Sequence, residues 1–231
     1  MNMDLNKSDL ADNPTNRVPI CLLLDISGSM NGKPINELNE GYKIFLDDLK
    51  SDTLTKYSAD LCVITFGGNV NIVKDFGPLD EHQSSSFSAD GMTPMGEAVS
   101  QALDLLENRK EEYKNNMIQY FQPWLVILTD GYPTDQYEQA ATYSSSLVNR
   151  KKLTVFPIGV GDEYDELTLQ KFSPAARVLR LQGTKFKEFF QWLSASVQQV
   201  SASSPGDEIK LDTSDGPKGL GSWASLDGLF D

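Results

Sequence analysis

The chain has 231 residues, 39% of them hydrophobic, and a formal net charge of −13. That size and apolar share suit one domain of about 200 residues with short ends and a core of its own. The charge argues against a nucleic-acid backbone or an anionic membrane surface as partner, and suits a protein that attracts cations or basic surfaces. No stretch approaches the roughly 18 continuous apolar residues of a membrane span, and the opening M-N-M-D-L-N-K-S-D-L is too polar for a signal peptide. A cytoplasmic protein is therefore expected.

Residues 1–16 carry no periodicity and read as a flexible arm. Val18, Ile20, Cys21, Leu22, Leu23 and Leu24 then form a nearly continuous apolar run that stops at Asp25. Such a run predicts a strand buried on both faces. Gly32-Lys33-Pro34 leads into a helix with proline near its first position. Ile35, Leu38, Tyr42, Phe45, Leu46 and Leu49 give that helix one apolar face. A second strand is predicted over Ala59 to Phe66, followed by a Gly67-Gly68 turn and a weakly alternating edge strand over Asn69 to Phe76.

Residues 77–91 form a long Ser-rich loop, in which His82 is expected to be solvent-exposed. Thr93-Pro94 has the composition of a helix cap, with Glu97 nearby. Met95, Ala98, Ala102, Leu105 and Leu106 mark the amphipathic helix that follows. A central strand is predicted over Trp124 to Thr129, a helix from Asp135 to about Arg150, a strand over Leu153 to Val160, a short helix near 164–172, a last strand near 177–181 and a closing helix near 184–202. Strands alternating with helices imply a parallel-rich sheet covered on both faces. These elements place one domain at 17–202. An acidic tail rich in Gly, Ser and Pro follows at 203–231, with Trp223, Leu226, Leu229 and Phe230 as an apolar set that docks on its own domain or on a partner.

Cys21 and Cys62 both lie inside strand-like runs and read as buried, reduced thiols. With a single histidine, a Cys/His zinc site lacks ligands.

Three loops carry the chemistry. D-I-S-G-S (25–29) offers one carboxylate and two hydroxyls within five residues, Thr93 starts a helix, and Asp130 follows the strand W-L-V-I-L-T. Each of these alone also fits an Asx-turn or a helix cap. Together Asp25, Ser27, Ser29, Thr93 and Asp130 present five oxygens at strand ends or helix starts, the donor set of a hard divalent cation. In an open parallel sheet such loops meet where the strand order reverses, and the strands ending at Asp25 and Asp130 are the candidates to flank that point. Without a cation, Asp25 and Asp130 are expected to repel one another and oppose joint ionisation.

This constellation resembles the metal-ion-dependent adhesion site of von Willebrand factor A (VWA) domains. T-F-G-G (65–68), G-M-T-P-M-G-E-A (91–98), P-W-L-V-I-L-T-D-G-Y-P-T-D (123–135), F-Q-W-L-S-A-S (190–196) and S-P-G-D-E (204–208) further resemble TerY-like VWA proteins of bacterial tellurite-resistance and stress clusters. The resemblance implies a Rossmann-like α/β fold, with a mostly parallel sheet, one antiparallel edge strand and helices on both faces. It implies that Ser27, Ser29 and Thr93 give hydroxyl oxygens to Mg²⁺ (or to Mn²⁺ or Ca²⁺), while Asp25 and Asp130 act mainly through bound waters. An open position on the metal would then take an acidic residue of a partner protein. A protein kinase and a PP2C-type phosphatase of the same cluster are the partner candidates it suggests, for a scaffold or adaptor.

Enzyme readings are weaker. D-I-S-G-S is not a G-x-S-x-G nucleophile elbow, there is no G-x-x-x-x-G-K-[ST] loop, and I-G-V-G (158–161) lacks the third glycine of a dinucleotide fingerprint. Mg²⁺-dependent phosphoester hydrolysis is the alternative, and it needs a base or second metal, for which Asp135 is the only further acid close in sequence to Asp130. A purely structural, loop-tying metal is the other. Met30, Met92 and Tyr132 adjoin the ligand residues and are expected to line a partner-binding rim.

Overall fold

The computed structural model describes residue 10 and residues 13–174, 178–207 and 209–211. Six strands form one sheet: β1 (Val18–Asp25), β2 (Ala59–Gly67), β3 (Asn69–Lys74), β4 (Trp124–Thr129), β5 (Thr154–Val160) and β6 (Leu179–Leu181). Their order is β3-β2-β1-β4-β5-β6. All neighbours are parallel except β3, which runs antiparallel along the edge of β2. The helices are α1 (Lys33–Ser51), α2 (Thr53–Ser58), α3 (Met95–Asn115), α4 (Glu138–Asn149), α5 (Glu166–Phe172) and α6 (Phe186–Ser201).

The continuous apolar run of β1 has a direct cause. Val18, Ile20, Leu22 and Leu24 pack with α1 and α6 on one face, while Cys21 and Leu23 pack with α3, α4 and α5 on the other. Neither face meets water, so alternation between apolar and polar is lost. Cys21 and Cys62 lie opposite each other in register on β1 and β2, buried and free. α1 and α6 pack so closely that a β-carbon on Gly41 would lie 2.7 Å from the Phe190 ring. Among the described residues no helix is long and apolar enough to cross a membrane.

Two local expectations change. The short helix α2 was not separated from its neighbours by periodicity; the Asp52 side chain starts it by accepting from the Thr55 amide at 2.8 Å. His82 is buried, at 1% exposure, not out in solvent. Its loop folds onto α1. Asn39 holds both the amide and the carbonyl of Phe87, Phe87 lies on Tyr42 with ring centroids 5.4 Å apart, and the Lys50 ammonium donates to the His82 carbonyl. Burial, with the charges of Lys74 and Lys50, lowers the imidazole pKa to about 4.

At the chain ends, Leu10 is buried against Tyr113 and Ile118, and Ile209 and Leu211 pack on the α1/α6 core. The apolar set at Trp223, Leu226, Leu229 and Phe230 lies outside the described residues.

Candidate metal centre

β1 and β4 are neighbours, and the chain reverses its direction of travel across the sheet between them. The crevice beyond their carboxyl ends is therefore the switch point of the fold. Asp25 ends β1, and Asp130 directly follows the last residue of β4.

Main-chain bonds tie the surrounding loops together. The Ile26 amide donates to the Phe66 carbonyl at 2.9 Å, and the Asp90 amide to the Ile26 carbonyl at 2.8 Å. The Gly28 amide donates to the Gly91 carbonyl at 3.0 Å, and the Gly68 amide to the Met92 carbonyl at 2.7 Å. The Thr134 amide donates to the Thr93 carbonyl at 2.9 Å. This closeness needs glycine: Gly91 has φ +71°, and a β-carbon there would lie 2.4 Å from the Gly68 α-carbon.

The side chains then converge. Ser29 Oγ donates to Asp130 Oδ1 at 2.6 Å and lies 3.0 Å from Ser27 Oγ. A β-carbon placed on Gly131 would be 3.7 Å from Thr93 Oγ1 and 3.8 Å from Ser29 Oγ, so both hydroxyls border the space that this glycine leaves open. Thr93, whose composition taken alone also fits a helix cap, does not cap the following helix. Asp135 takes that role from the neighbouring loop, its two carboxylate oxygens accepting from the Gly96 amide at 2.9 Å and the Glu97 amide at 2.7 Å. The helix predicted to begin at Asp135 starts instead at Glu138. The Thr93 hydroxyl is left at the crevice.

Asp25 is buried. Its carboxylate accepts from the Ser27 amide at 2.8 Å and from the Thr129 hydroxyl at 2.5 Å. Burial raises its pKa to about 6, against the pull of these hydrogen bonds. Asp130 is also raised, again chiefly by burial, with a contribution from the charge of Glu163. The expected repulsion between Asp25 and Asp130 is present but is the smallest cause at Asp25; loss of water is the main one.

The donor set suits a small hard cation. The two serine hydroxyls lie 3.0 Å apart, close enough to serve one ion together, and Asp130 stands behind Ser29 as its hydrogen-bond acceptor. Among the described residues no three His, Cys, Asp or Glu side chains gather in one place, so a cation here would rest on hydroxyls as much as on carboxylates.

The rim differs from expectation at one position. Met92 and Tyr132 are exposed, at 64% and 62%, but Met30 is buried at 1%. Met30 closes a 3-10 turn over Gly28–Met30 and points into the α1/α6 core, where an unbranched apolar side chain fills space. Three residues escaped sequence reasoning. Thr129 stood in the quoted T-D-G, but a strand-end threonine gives no sign that it bonds a distant aspartate. Asp135 read as a helix start. Leu167, 80% exposed, was not singled out within the short helix predicted near 164–172, and α5 begins beside the site, where the Asp165 amide donates to the Gly131 carbonyl at 3.4 Å.

The family model of the von Willebrand factor type A domain matches residues 20–199. Inter-alpha-trypsin inhibitor heavy chain H6 of Homo sapiens is 21% identical over 222 residues, which cover 91% of this chain and 16% of that protein. Among solved structures, the von Willebrand factor type A protein from Catenulispora acidiphila is similar with a TM-score of 0.63 at 18% identity, over 80% of this chain and 43% of that one. Proximal thread matrix protein 1 from the mussel byssus, with a zinc-occupied MIDAS motif, is similar with a TM-score of 0.54 at 14% identity, over 80% of this chain and 48% of that one. This chain spans under half the length of each of these proteins. The six-stranded sheet with its one antiparallel edge and the family match over most of the sequence agree: the chain belongs to the von Willebrand factor type A domain family.

Proposed function

We propose that this chain is a divalent-metal-dependent protein-binding module whose metal is held by Asp25, Ser27, Ser29, Thr93 and Asp130. The observation that carries this reading is the convergence of those five side chains beyond β1 and β4, with the Thr93 hydroxyl released from helix capping by Asp135. Ser27, Ser29 and Thr93 supply neutral oxygens, while Asp25 and Asp130 stand behind them and balance the cation's charge. Mg²⁺ is our first choice, and the zinc-occupied MIDAS motif of the mussel protein supports a divalent ion at this place in the fold. When bound, the metal supplies an electrophilic position for a carboxylate of a partner protein. Exposed Met92 and Tyr132 then meet the partner around it.

The sequence motifs carry the reading further, to a non-enzymatic TerY-like scaffold or adaptor of a cytoplasmic tellurite-resistance or stress system. On that reading its partners are a protein kinase and a PP2C-type phosphatase. The hydrolase alternative loses support, because both oxygens of Asp135 accept helix amides. His82 is no candidate base either. It neighbours the Leu61 backbone, and Leu61 pairs with Ile20, five residues of strand from Asp25, or about 16 Å.

Melting curves in EDTA and in millimolar Mg²⁺ test the reading. A metal that binds only the folded chain stabilises it by about 2.7 kcal/mol at a hundredfold excess over Kd. For a domain of this size that is on the order of 5–11 °C. Asp25→Asn should abolish the shift, and capture of the partner should require Mg²⁺. A wild type indifferent to Mg²⁺ sinks the site.

A further inference from the structure

At the opposite pole, where β4 and β5 begin, lies a cleft of about 300 Å³. Lys110 and Lys114 of α3, Lys151 and Lys152 of the turn after α4, and Tyr120 of the loop before β4 line it, with Glu107 as its one carboxylate. Four ammonium groups in one small cleft are unexpected on a chain of net charge −13. Helix ends attract basic side chains, and the dipole of each helix explains one or two of them. It does not explain why a helix and the turn after another helix bring theirs to the same cleft. Lys110 and Lys114 are paired within their own helix, with Glu107 and Glu111. Lys151 and Lys152 are exposed, and among the described residues neither side chain has an ion pair or hydrogen bond.

The backbone gives a second, independent observation. α3 and α4 both end in a left-handed residue, each closed by a bond to the carbonyl five residues back: Ile118 to Tyr113 and Lys152 to Leu147, both at 2.9 Å. Glycine suits that position, since a β-carbon strains it. Here the residues are Met117, with φ 57°, and Lys151, with φ 56°. Met117 is 92% exposed, three residues before Tyr120. At both helix ends that border the cleft, strain is accepted in exchange for a side chain that faces solvent, one apolar and one cationic. Backbone strain of this kind gathers at functional surfaces.

We propose that this cleft is a docking site for an acidic segment of a partner protein, separate from the metal pole. Lys151 and Lys152 supply the charge, Tyr120 supplies apolar contact within the cleft, and exposed Met117 adds more beside it. A long nucleic acid fits less well, because beyond the cleft it would meet the negative field of the rest of the chain.

Fluorescence anisotropy of a labelled hexaglutamate peptide with the full chain tests this. The buffer holds EDTA, so that no metal takes the carboxylates, and about 0.05 M salt, so that screening is weak. Wild type should bind. The double variant Lys151→Glu, Lys152→Glu should weaken binding about tenfold or more, from two lost charge contacts. Lys43→Glu with Lys187→Glu makes the same change of net charge on the α1/α6 face and should alter binding about twofold or less. Lys151→Gly removes one lysine and the strain together, so it should raise the melting temperature while weakening the peptide about threefold. No binding by wild type, equal losses in the two double variants, or undiminished binding by Lys151→Gly would overturn the proposal. So would tighter binding of a single-stranded oligonucleotide than of hexaglutamate at about 0.15 M salt. None of these outcomes depends on the metal site.

Discussion

Two aspartates lie buried at opposite ends of neighbouring strands, and their surroundings differ in kind. Asp60, near the start of β2, accepts from Arg109 and from the Tyr113 hydroxyl, each at 2.7 Å, and from the Gly77 amide at 3.1 Å. Arg109 is itself buried, so the two charges answer each other inside the protein. Asp25, at the end of β1, receives neutral donors among the described residues, the Ser27 amide and the Thr129 hydroxyl. One carboxylate has its counter-ion built into the chain. The other is buried and, among the described residues, has no cationic partner. The difference separates a charge that holds the fold from a charge kept for something that arrives from outside.

That contrast can be broken by experiment. Asp60→Ala leaves Arg109 buried without its carboxylate, and loss of one member of such a pair costs about 3–5 kcal/mol. Chemical denaturation should show that loss equally in EDTA and in Mg²⁺. A cost under about 1 kcal/mol would erase the distinction between the two aspartates.

The next effect has the opposite sign. The folded Asp25 carboxyl titrates at about 6, above its ordinary value of 3.8, so the native state holds this proton more tightly than the unfolded chain. In EDTA its contribution should therefore fall as pH rises from about 4 to about 6, reaching roughly 3 kcal/mol of lost stability by pH 7. Asp25→Asn should flatten that slope and match or exceed the wild-type melting temperature at neutral pH. Because Asn can still accept from the Ser27 amide, a variant less stable than wild type at pH 7 without metal would mean that Asp25 is a structural group like Asp60.

The smallest effect on stability is expected at the rim. Tyr132→Ala should change unfolding free energy by about 0.5 kcal/mol or less and leave the Mg²⁺ shift intact, since the ring is 62% exposed. It should nonetheless weaken partner capture. Undiminished capture would remove Tyr132 from the interface.

The fold was legible because its strongest signals are local. A strand buried on both faces cannot alternate, so β1 and β4 announce themselves as apolar runs, and the oxygen-bearing residues follow where those runs stop. What sequence could not show depends on contacts between distant segments. Asp135 and Thr93 have the same capping chemistry, and only the meeting of their loops decides which one caps α3. Met30 and Met92 are alike as residues, and a 3-10 turn sends one inward. His82 sits among serines that suggest solvent, while Leu79 and Phe87 on either side anchor its loop to the core. The burial of Asp25, which dominates its pKa, is a property of three dimensions alone.

The stitching of the loops has a consequence for how recognition can change. Amides and carbonyls make the bonds from Gly28 to Gly91, Gly68 to Met92 and Thr134 to Thr93, and every residue except proline carries both groups. The side chains at 92 and 132 contribute nothing to those bonds, although each is one or two positions from a residue of the oxygen cluster. They can be exchanged while the cluster stays in place. A lineage, or a laboratory library varied at those two positions, can therefore explore new partners without rebuilding the anchor.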